Sequence, residues 1–310
     1  MDPGELAELR RTSYNATVAW LHKVHTDLMI VRVRPDFAVP MHQPGQYSTL
    51  GLGNWEPRYP GCQEEVLTPE QERRLARRAY SISCSVLDEH GRLADLAEAG
   101  VLEFYVVLVR DSEKEKPPAL TPRLFMLRES DRLYLGEKIT GHYTLDPVQP
   151  GDTVLFLATG TGEAPHNYML WQLLRKGHQG RILSACCVRY RKDLGYRPVH
   201  EQLMEHYPNY TYVGLTTREV DTIQNKMYIQ DMITTGALEE RLGQPLDPAR
   251  THVFLCGNPK MIGVPTRDRA TGERVFPQPP GVVEILERRG FRADQPQAKI
   301  KGSVHFEEYW

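Results

Sequence analysis

Two short segments of this sequence carry the residue types that hold phosphate. In the first, the apolar run Val154-Leu155-Phe156-Leu157-Ala158 passes into Thr159-Gly160-Thr161-Gly162-Glu163-Ala164-Pro165 and then into a helical pattern from His166 to Arg175. A strand, a glycine-rich turn and a proline-started helix present unpaired backbone amides to a pyrophosphate. The glycines do not follow the GxGxxG spacing, so an ordinary strand-to-helix turn stays open. In the second, Leu120-Thr121-Pro122 puts a Thr at a helix N-cap with Pro at the first helical position. Free N–H groups at such an end attract phosphate, and the same residues also make a plain cap. No metal site is expected. The five cysteines, Cys62, Cys84, Cys186, Cys187 and Cys256, include no CxxC pair of the kind that holds a cluster. His22 and His25 stand three apart in a strand-like stretch, which turns their rings to opposite faces.

The elements around these segments change character along the chain. From Asn15 to Leu145 short apolar runs alternate with Pro/Gly turns: Ala16 to Val24, Leu28 to Val33, Gln46 to Gly51, Tyr80 to Val86, Leu102 to Val109 and Leu133 to Thr140. That spacing predicts a closed or nearly closed antiparallel barrel. Two segments interrupt it, Asn54 to Arg78, which ends in the helix-like PEQERRLARR, and the charged loop Asp111 to Pro118. Beyond it, apolar runs at Ile182 to Val188, Tyr210 to Leu215 and His252 to Cys256 alternate with helix-like Pro198 to His206, Met227 to Leu242 and Gly281 to Arg289. This alternation predicts a parallel doubly wound sheet. The expected division is residues 1–148 and 149–310. A length of 310 residues fits two such domains, and 38 Lys+Arg against 40 Asp+Glu leave no global cationic field for nucleic acid. The chain has no membrane-spanning apolar run and its first residues lack an apolar signal core, so a cytoplasmic protein is expected.

In order along the chain, Arg78-Ala79-Tyr80-Ser81, Leu102-Glu103-Phe104-Tyr105, Leu120-Thr121-Pro122, the GTGEAP turn, Thr217-Arg218-Glu219, Cys256-Gly257-Asn258-Pro259-Lys260-Met261 and the terminal Tyr309-Trp310 resemble the ferredoxin–NADP reductase family. The resemblance covers residues 14 to 262 and the last six. CGNPKM and the aromatic end are similar to bacterial flavodoxin/ferredoxin reductases, whereas Lys226-Met227-Tyr228-Ile229-Gln230 resembles the plastid-type nucleotide segment. It implies an N-terminal FAD-binding barrel, a C-terminal NADP-binding α/β domain, and a tail that returns to the flavin.

The roles it implies are specific. Arg78 would hold the FAD pyrophosphate, Tyr80 stack on the isoalloxazine and Ser81 bond near N5; Ala79 lies within the same motif. Phe104, Tyr105 and Val106 would meet the ribityl and ribose, Leu120 and Thr121 the diphosphate, and Thr161 would approach the flavin. Tyr309 would cover the opposite flavin face and Trp310 lie by the adenine; a terminal strand packed on the sheet is the plainer alternative. For NADP the implied residues are Thr159, Gly160, Gly162, Pro165, Arg189, Thr217, Arg218, Lys226, Tyr228, Gln230, Gly257, Asn258 and Pro259. Arg218 and Lys226 are cations where an NAD-specific site favours an acid, although Glu219 adjoins them. Cys256 would position the nicotinamide, with Ser81 and Tyr309 completing the catalytic set.

The implied activity is electron transfer between NADPH and ferredoxin or flavodoxin. Arg73, Arg74 and Arg77 form a candidate patch for an acidic carrier, or else a solvated helix face. A flavin reductase serving an oxygenase and a non-catalytic dinucleotide-binding regulator stay open. Residues 52–77 and 263–302 depart from the family pattern.

Overall fold

The computed structural model describes residues 1–96, 100–112, 116–295 and 300–309, which form two compact units: 1–88 with 94–142, and 89–93 with 143–310. Part of the charged loop expected at Asp111 to Pro118, and Trp310, lie outside the described residues.

The first unit opens with helix α1 (Pro3–Ser13), capped by the Asp2 side chain, which accepts from the Glu5 amide. None of its residues is fully buried; only Leu6 and Leu9 put apolar side chains on its half-buried face, too short a pattern to mark a helix. Six strands follow: β1 (Ala16–His25), β2 (Leu28–Pro35), β3 (Tyr47–Gly53), then after α2 (Pro69–Glu72) β4 (Leu75–Ser81), β5 (Leu102–Val107), and after α3 (Thr121–Leu124) β6 (Arg132–Leu135). They pair antiparallel in the order β4-β3-β6-β1-β2-β5. An isolated bridge from Ser83 to Glu103, with the Ser83 amide donating to the Glu103 carbonyl at 2.8 Å, joins the two ends. The expected barrel is therefore present. Its buried apolar residues include Met29, Val31, Val33, Leu50, Leu52, Phe104, Val106, Leu133 and Leu135, contributed by β2, β3, β5 and β6.

Two local expectations are corrected. PEQERRLARR is helical for one turn only, because strand β4 starts at Leu75 and runs through the arginines. The strand expected at Tyr80 to Val86 accordingly ends at Ser81.

The second unit is a five-stranded parallel sheet in the order β13-β10-β7-β8-β9. Its elements are β7 (Thr153–Thr159), α4 (Glu163–Arg175), β8 (Ile182–Val188), α5 (Arg197–His206), β9 (Tyr210–Thr216), α6 (Ile229–Thr234), α7 (Ala237–Leu242), β10 (Thr251–Gly257), α8 (Pro259–Ile262), the small hairpin β11 (Thr266–Arg267) with β12 (Arg274–Val275), α9 (Val282–Glu287) and β13 (Val304–Glu308). Strand β8 is buried throughout, which is why it reads as an unbroken apolar run. One face of the sheet is covered by Ile229, Met232, Leu238, Ile262, Val283 and Leu286 from α6 to α9. The helix expected over Met227 to Leu242 is two helices, divided at Gly236, whose φ of 81° interrupts the ladder. The stretch 263–302, which departs from the family pattern, supplies the hairpin and α9, the latter within the helix expected over Gly281 to Arg289, and leads into the edge strand β13. Among the described residues no helix is long and apolar enough to cross a membrane.

Candidate functional site

In the second unit, β7 and β10 lie side by side with Ala158 opposite Cys256, so the turns that follow them meet. A Cβ on Gly162 would stand 2.3 Å from the Cys256 carbonyl oxygen, and one on Gly257, at φ 124°, would stand 2.3 Å from Thr159 Oγ1. Only glycine fits either position. The Asn258 amide then donates to Thr159 Oγ1 at 2.7 Å, while the Asn258 side chain caps α8 by accepting from the Lys260 amide at 2.9 Å, with Pro259 as the first residue of that helix. Across the turn Gly160 is open, since a Cβ there would meet nothing within 4 Å. Helix α4 begins at Glu163 without a side-chain cap, and Pro165 is buried in its first turn. Thr159, Gly160, Gly162, Pro165, Gly257, Asn258 and Pro259 are thus brought together where β7 passes through a 3-10 turn (Gly160–Gly162) into α4, the Glu163 amide donating to the Gly160 carbonyl; a glycine-rich turn of this kind suits an anion.

A second group forms where β8 and β9 end. The Thr217 amide donates to the Val188 carbonyl at 3.1 Å and the Arg218 amide to the Arg189 carbonyl at 2.8 Å, which sets the two arginines on neighbouring backbones. Arg189 Nε lies 3.6 Å from Asp193. Among the described residues, Arg218 and Lys226 have no ion-pair partner. Glu219, the acid that would suit an unphosphorylated ribose, instead accepts the Arg191 amide at 2.6 Å. The Tyr228 ring is 46% exposed at the start of α6, free to stack, and Gln230 Nε2 donates to the Lys260 carbonyl at 3.3 Å. That bond ties the KMYIQ segment to the CGNPKM segment.

Strand β13 runs parallel to β10 with Glu307 opposite Cys256, and the Tyr309 amide donates to the Gly257 carbonyl at 2.9 Å. Residues 304–308 therefore form the packed terminal strand that the sequence left as an alternative, and Tyr309 stands at its end. Cys256 is fully buried; burial first, then the Glu307 carboxylate, pushes its thiol well up, against an opposing hydrogen bond from the Tyr309 side chain. A thiol so held is not ionised near neutrality and is no nucleophile. Two acids here escaped the sequence reading. Burial pushes Glu307 up to about 7, and its Oε2 is enclosed without a partner. Glu163 is 3% exposed and turned into the interior. Neither had a sequence signal, because both depend on neighbours distant in the chain.

In the first unit Arg77, Arg78 and Ala79 are exposed in succession on β4, so the ordinary alternation of a half-buried strand is broken. Arg78 donates to the Arg77 carbonyl at 2.8 Å and, among the described residues, has no carboxylate partner. Tyr80 is partly exposed, and Ser81 is buried with its Oγ unpartnered. Phe104, Tyr105, Val106 and Leu120 are buried. Thr121 differs from expectation: the α3 N-cap is Leu120, and Thr121 Oγ1 accepts from the Val109 amide at 3.1 Å. The 52–77 segment packs against this helix, since Arg123, 2% exposed, donates to the Asn54 carbonyl at 2.8 Å and to Glu65 at 2.7 Å. Arg73 pairs with Glu5 at 2.7 Å, Arg74 with Glu70, and Arg77 lies over the Tyr134 ring at 4.8 Å. The supposed cationic patch is largely compensated by its own chain.

Residues 156–265 match the family model described as an oxidoreductase NAD-binding domain. The flavodoxin/ferredoxin–NADP reductases of Shigella flexneri and Escherichia coli (strain K12) are each 31% identical to this chain over 162 residues, 52% of this chain and 63% of theirs. The match thus spans less than two thirds of those relatives. The enzyme of the same name from Buchnera aphidicola subsp. Schizaphis graminum is 26% identical over 252 residues, 80% of this chain and 86% of that one. Among solved structures, a ferredoxin NADP+ reductase from Neisseria gonorrhoeae with bound FAD and NADP superposes with a TM-score of 0.67 at 19% identity, covering 96% of this chain and 98% of that one. That likeness establishes the fold.

Proposed function

We propose that this chain is a member of the ferredoxin–NADP reductase family, an FAD-dependent oxidoreductase passing electrons between NADPH and ferredoxin or flavodoxin. What supports the reading most is one arrangement in the second unit. A glycine-rich turn into a helix without a side-chain cap and two glycines that admit no Cβ stand at the ends of neighbouring parallel strands, with Arg218 just past β9 and Lys226 in the loop beyond it, both without a carboxylate partner among the described residues. Backbone amides suit a pyrophosphate, and Arg218 with Lys226 suits a 2′-phosphate. With Glu219 occupied by the Arg191 amide, the phosphorylated dinucleotide is favoured.

The donor set of β4 fits FAD: a guanidinium at Arg78 that has no carboxylate partner among the described residues, a partly exposed ring at Tyr80 and a buried hydroxyl at Ser81 that has no partner among them. Bound FAD supplies a two-electron acceptor able to release electrons singly. In this reading Arg78 holds its pyrophosphate, Tyr80 packs on its ring system and Ser81 donates near N5. Phe104, Tyr105, Val106 and Leu120 contribute through the backbone, as does Thr121, whose hydroxyl is already engaged. Thr161, Tyr309 and Trp310 are assigned to the flavin on the sequence resemblance alone. Cys256 contributes an apolar, un-ionised contact for the nicotinamide, and Glu307 a carboxyl able to hold a proton near neutral pH.

A cytoplasmic location belongs to the same reading. Arg73, Arg74 and Arg77 remain the candidate carrier surface, and reversing all three to Glu tests it: a raised KM for ferredoxin with unchanged dye reduction supports the surface, and unchanged ferredoxin kinetics removes it. The activity itself is tested by NADPH-driven reduction of ferredoxin and of flavodoxin, each against an artificial dye. Dye reduction without reduction of either carrier would favour a flavin reductase component serving an oxygenase.

A further inference from the structure

Behind the GTG turn lies a polar cluster that no role above uses. Glu163 follows Gly162 directly, and its side chain turns inward rather than toward the turn's open side. Its Oε1 accepts the Tyr212 hydroxyl of β9 at 2.9 Å. His200 Nε2 of α5 lies 3.2 Å from the same oxygen, without the alignment of a hydrogen bond. The His200 ring stacks on Tyr212 with centroids 4.2 Å apart, and its Nδ1 is 2.7 Å from the Tyr210 hydroxyl. Glu163, His200, Tyr210 and Tyr212 are all buried.

We infer that Glu163 is a positioning residue for the dinucleotide, fixing the phosphate-binding turn at the start of α4 relative to the strand that carries Thr217 and Arg218. The inference rests on the NADP reading above and deepens it. Two ties hold the turn. On one side Gly162 abuts the Cys256 carbonyl and Thr159 accepts the Asn258 amide. On the other, Glu163 reaches across β8 to Tyr212, five residues before Thr217 in the chain. A dinucleotide touching both the turn and Arg218 must find them at one separation, and a preformed separation removes the ordering cost from binding.

The choice of residue supports this assignment. A buried carboxylate is costly even when paired, and an apolar side chain of similar size commonly serves stability as well or better. Oε2 of Glu163 is enclosed without a partner, so the pairing is incomplete. What the carboxylate adds over a leucine is a directed bond to β9, and hence a defined distance.

The test uses the full chain in its flavin-loaded form, with NADP+ and adenosine 2′,5′-bisphosphate titrated by calorimetry. The bisphosphate reports the Arg218 end without spanning to the nicotinamide side. Glu163→Leu is expected to weaken NADP+ by about tenfold, roughly the value of one tenfold step in binding, while bisphosphate affinity stays within about twofold. Glu163→Gln, which retains an acceptor for Tyr212, is expected to restore most of the loss. Tyr212→Phe removes only the hydroxyl and is expected to shift NADP+ in the same direction; it decides the matter if Glu163→Leu does not fold. Equal weakening of both ligands, or NADP+ binding unaffected in Glu163→Leu and Tyr212→Phe, overturns the inference and leaves the NADP reading standing. Unsubstituted protein that binds neither ligand overturns both.

Discussion

The Asn258 amide donates to the Thr159 hydroxyl at 2.7 Å, joining two strand ends that lie 99 residues apart in the chain. This bond, with the close approach of Gly162 to Cys256, makes one loop cluster of two segments that the sequence presents separately.

Substitution at Gly162 should therefore damage both fold and binding. A Cβ 2.3 Å from the Cys256 carbonyl forces the backbones apart. Gly162→Ala is expected to lose about 1–3 kcal/mol, the usual range for overpacking, together with NADP+ affinity. Thermal denaturation and calorimetry read the two effects; unchanged melting would show that the turns are not held together as described.

Arg218 should discriminate between the nicotinamide nucleotides. A charge-assisted contact to the 2′-phosphate is worth about 1.5–3 kcal/mol, so Arg218→Ala is expected to lower kcat/KM for NADPH by about 10- to 100-fold while NADH stays within about threefold. Equal losses with the two nucleotides would contradict the assignment.

Cys256 should resist alkylation. Its thiol is fully buried and held well above the ordinary range, so iodoacetamide at pH 7 is expected to leave it unmodified in the folded protein and to label it after denaturation. Peptide mass spectrometry distinguishes the outcomes, and ready labelling of the folded form would rule out the burial described.

Glu307 should make stability depend on pH. Burial raises its folded value to about 7, above the ordinary 4.5 expected on unfolding, so the folded state binds the extra proton between those values. The penalty for ionising it is absent below pH 4.5, grows as pH rises, and is complete above about 7. Glu307→Gln is expected to gain about 1–3 kcal/mol over the parent at pH 8, with the difference shrinking toward pH 5. A pH-independent difference would contradict the buried carboxyl.

Legibility in the sequence followed how local each signal was. The buried strand β8 was readable end to end, since coverage on both faces leaves an unbroken apolar run from Ile182 to Val188. The GTG turn and CGNPKM were readable as segments, though not their contact. Strand β4 was obscured because Arg77, Arg78 and Ala79 are all exposed, so no alternation marks it. Helix α1 has no buried side chain to give a period, and the break at Gly236 was hidden inside an otherwise continuous pattern. Thr121 looks like a cap in its own segment; only the approach of Val109, twelve residues earlier, engages its hydroxyl. Glu163 and Glu307 acquire their character from partners on other elements, which residue spacing does not encode.

The central claim is that this chain holds FAD and that NADPH reduces it. The most direct measurement is the visible spectrum of the purified protein, supplemented with FAD where needed, followed by anaerobic titration with NADPH and then NADH. A yellow protein whose flavin band bleaches at near-stoichiometric NADPH, and far less readily with NADH, is the expected result. A preparation that stays colourless and takes up no FAD, or whose bound flavin is untouched by NADPH, would contradict the account.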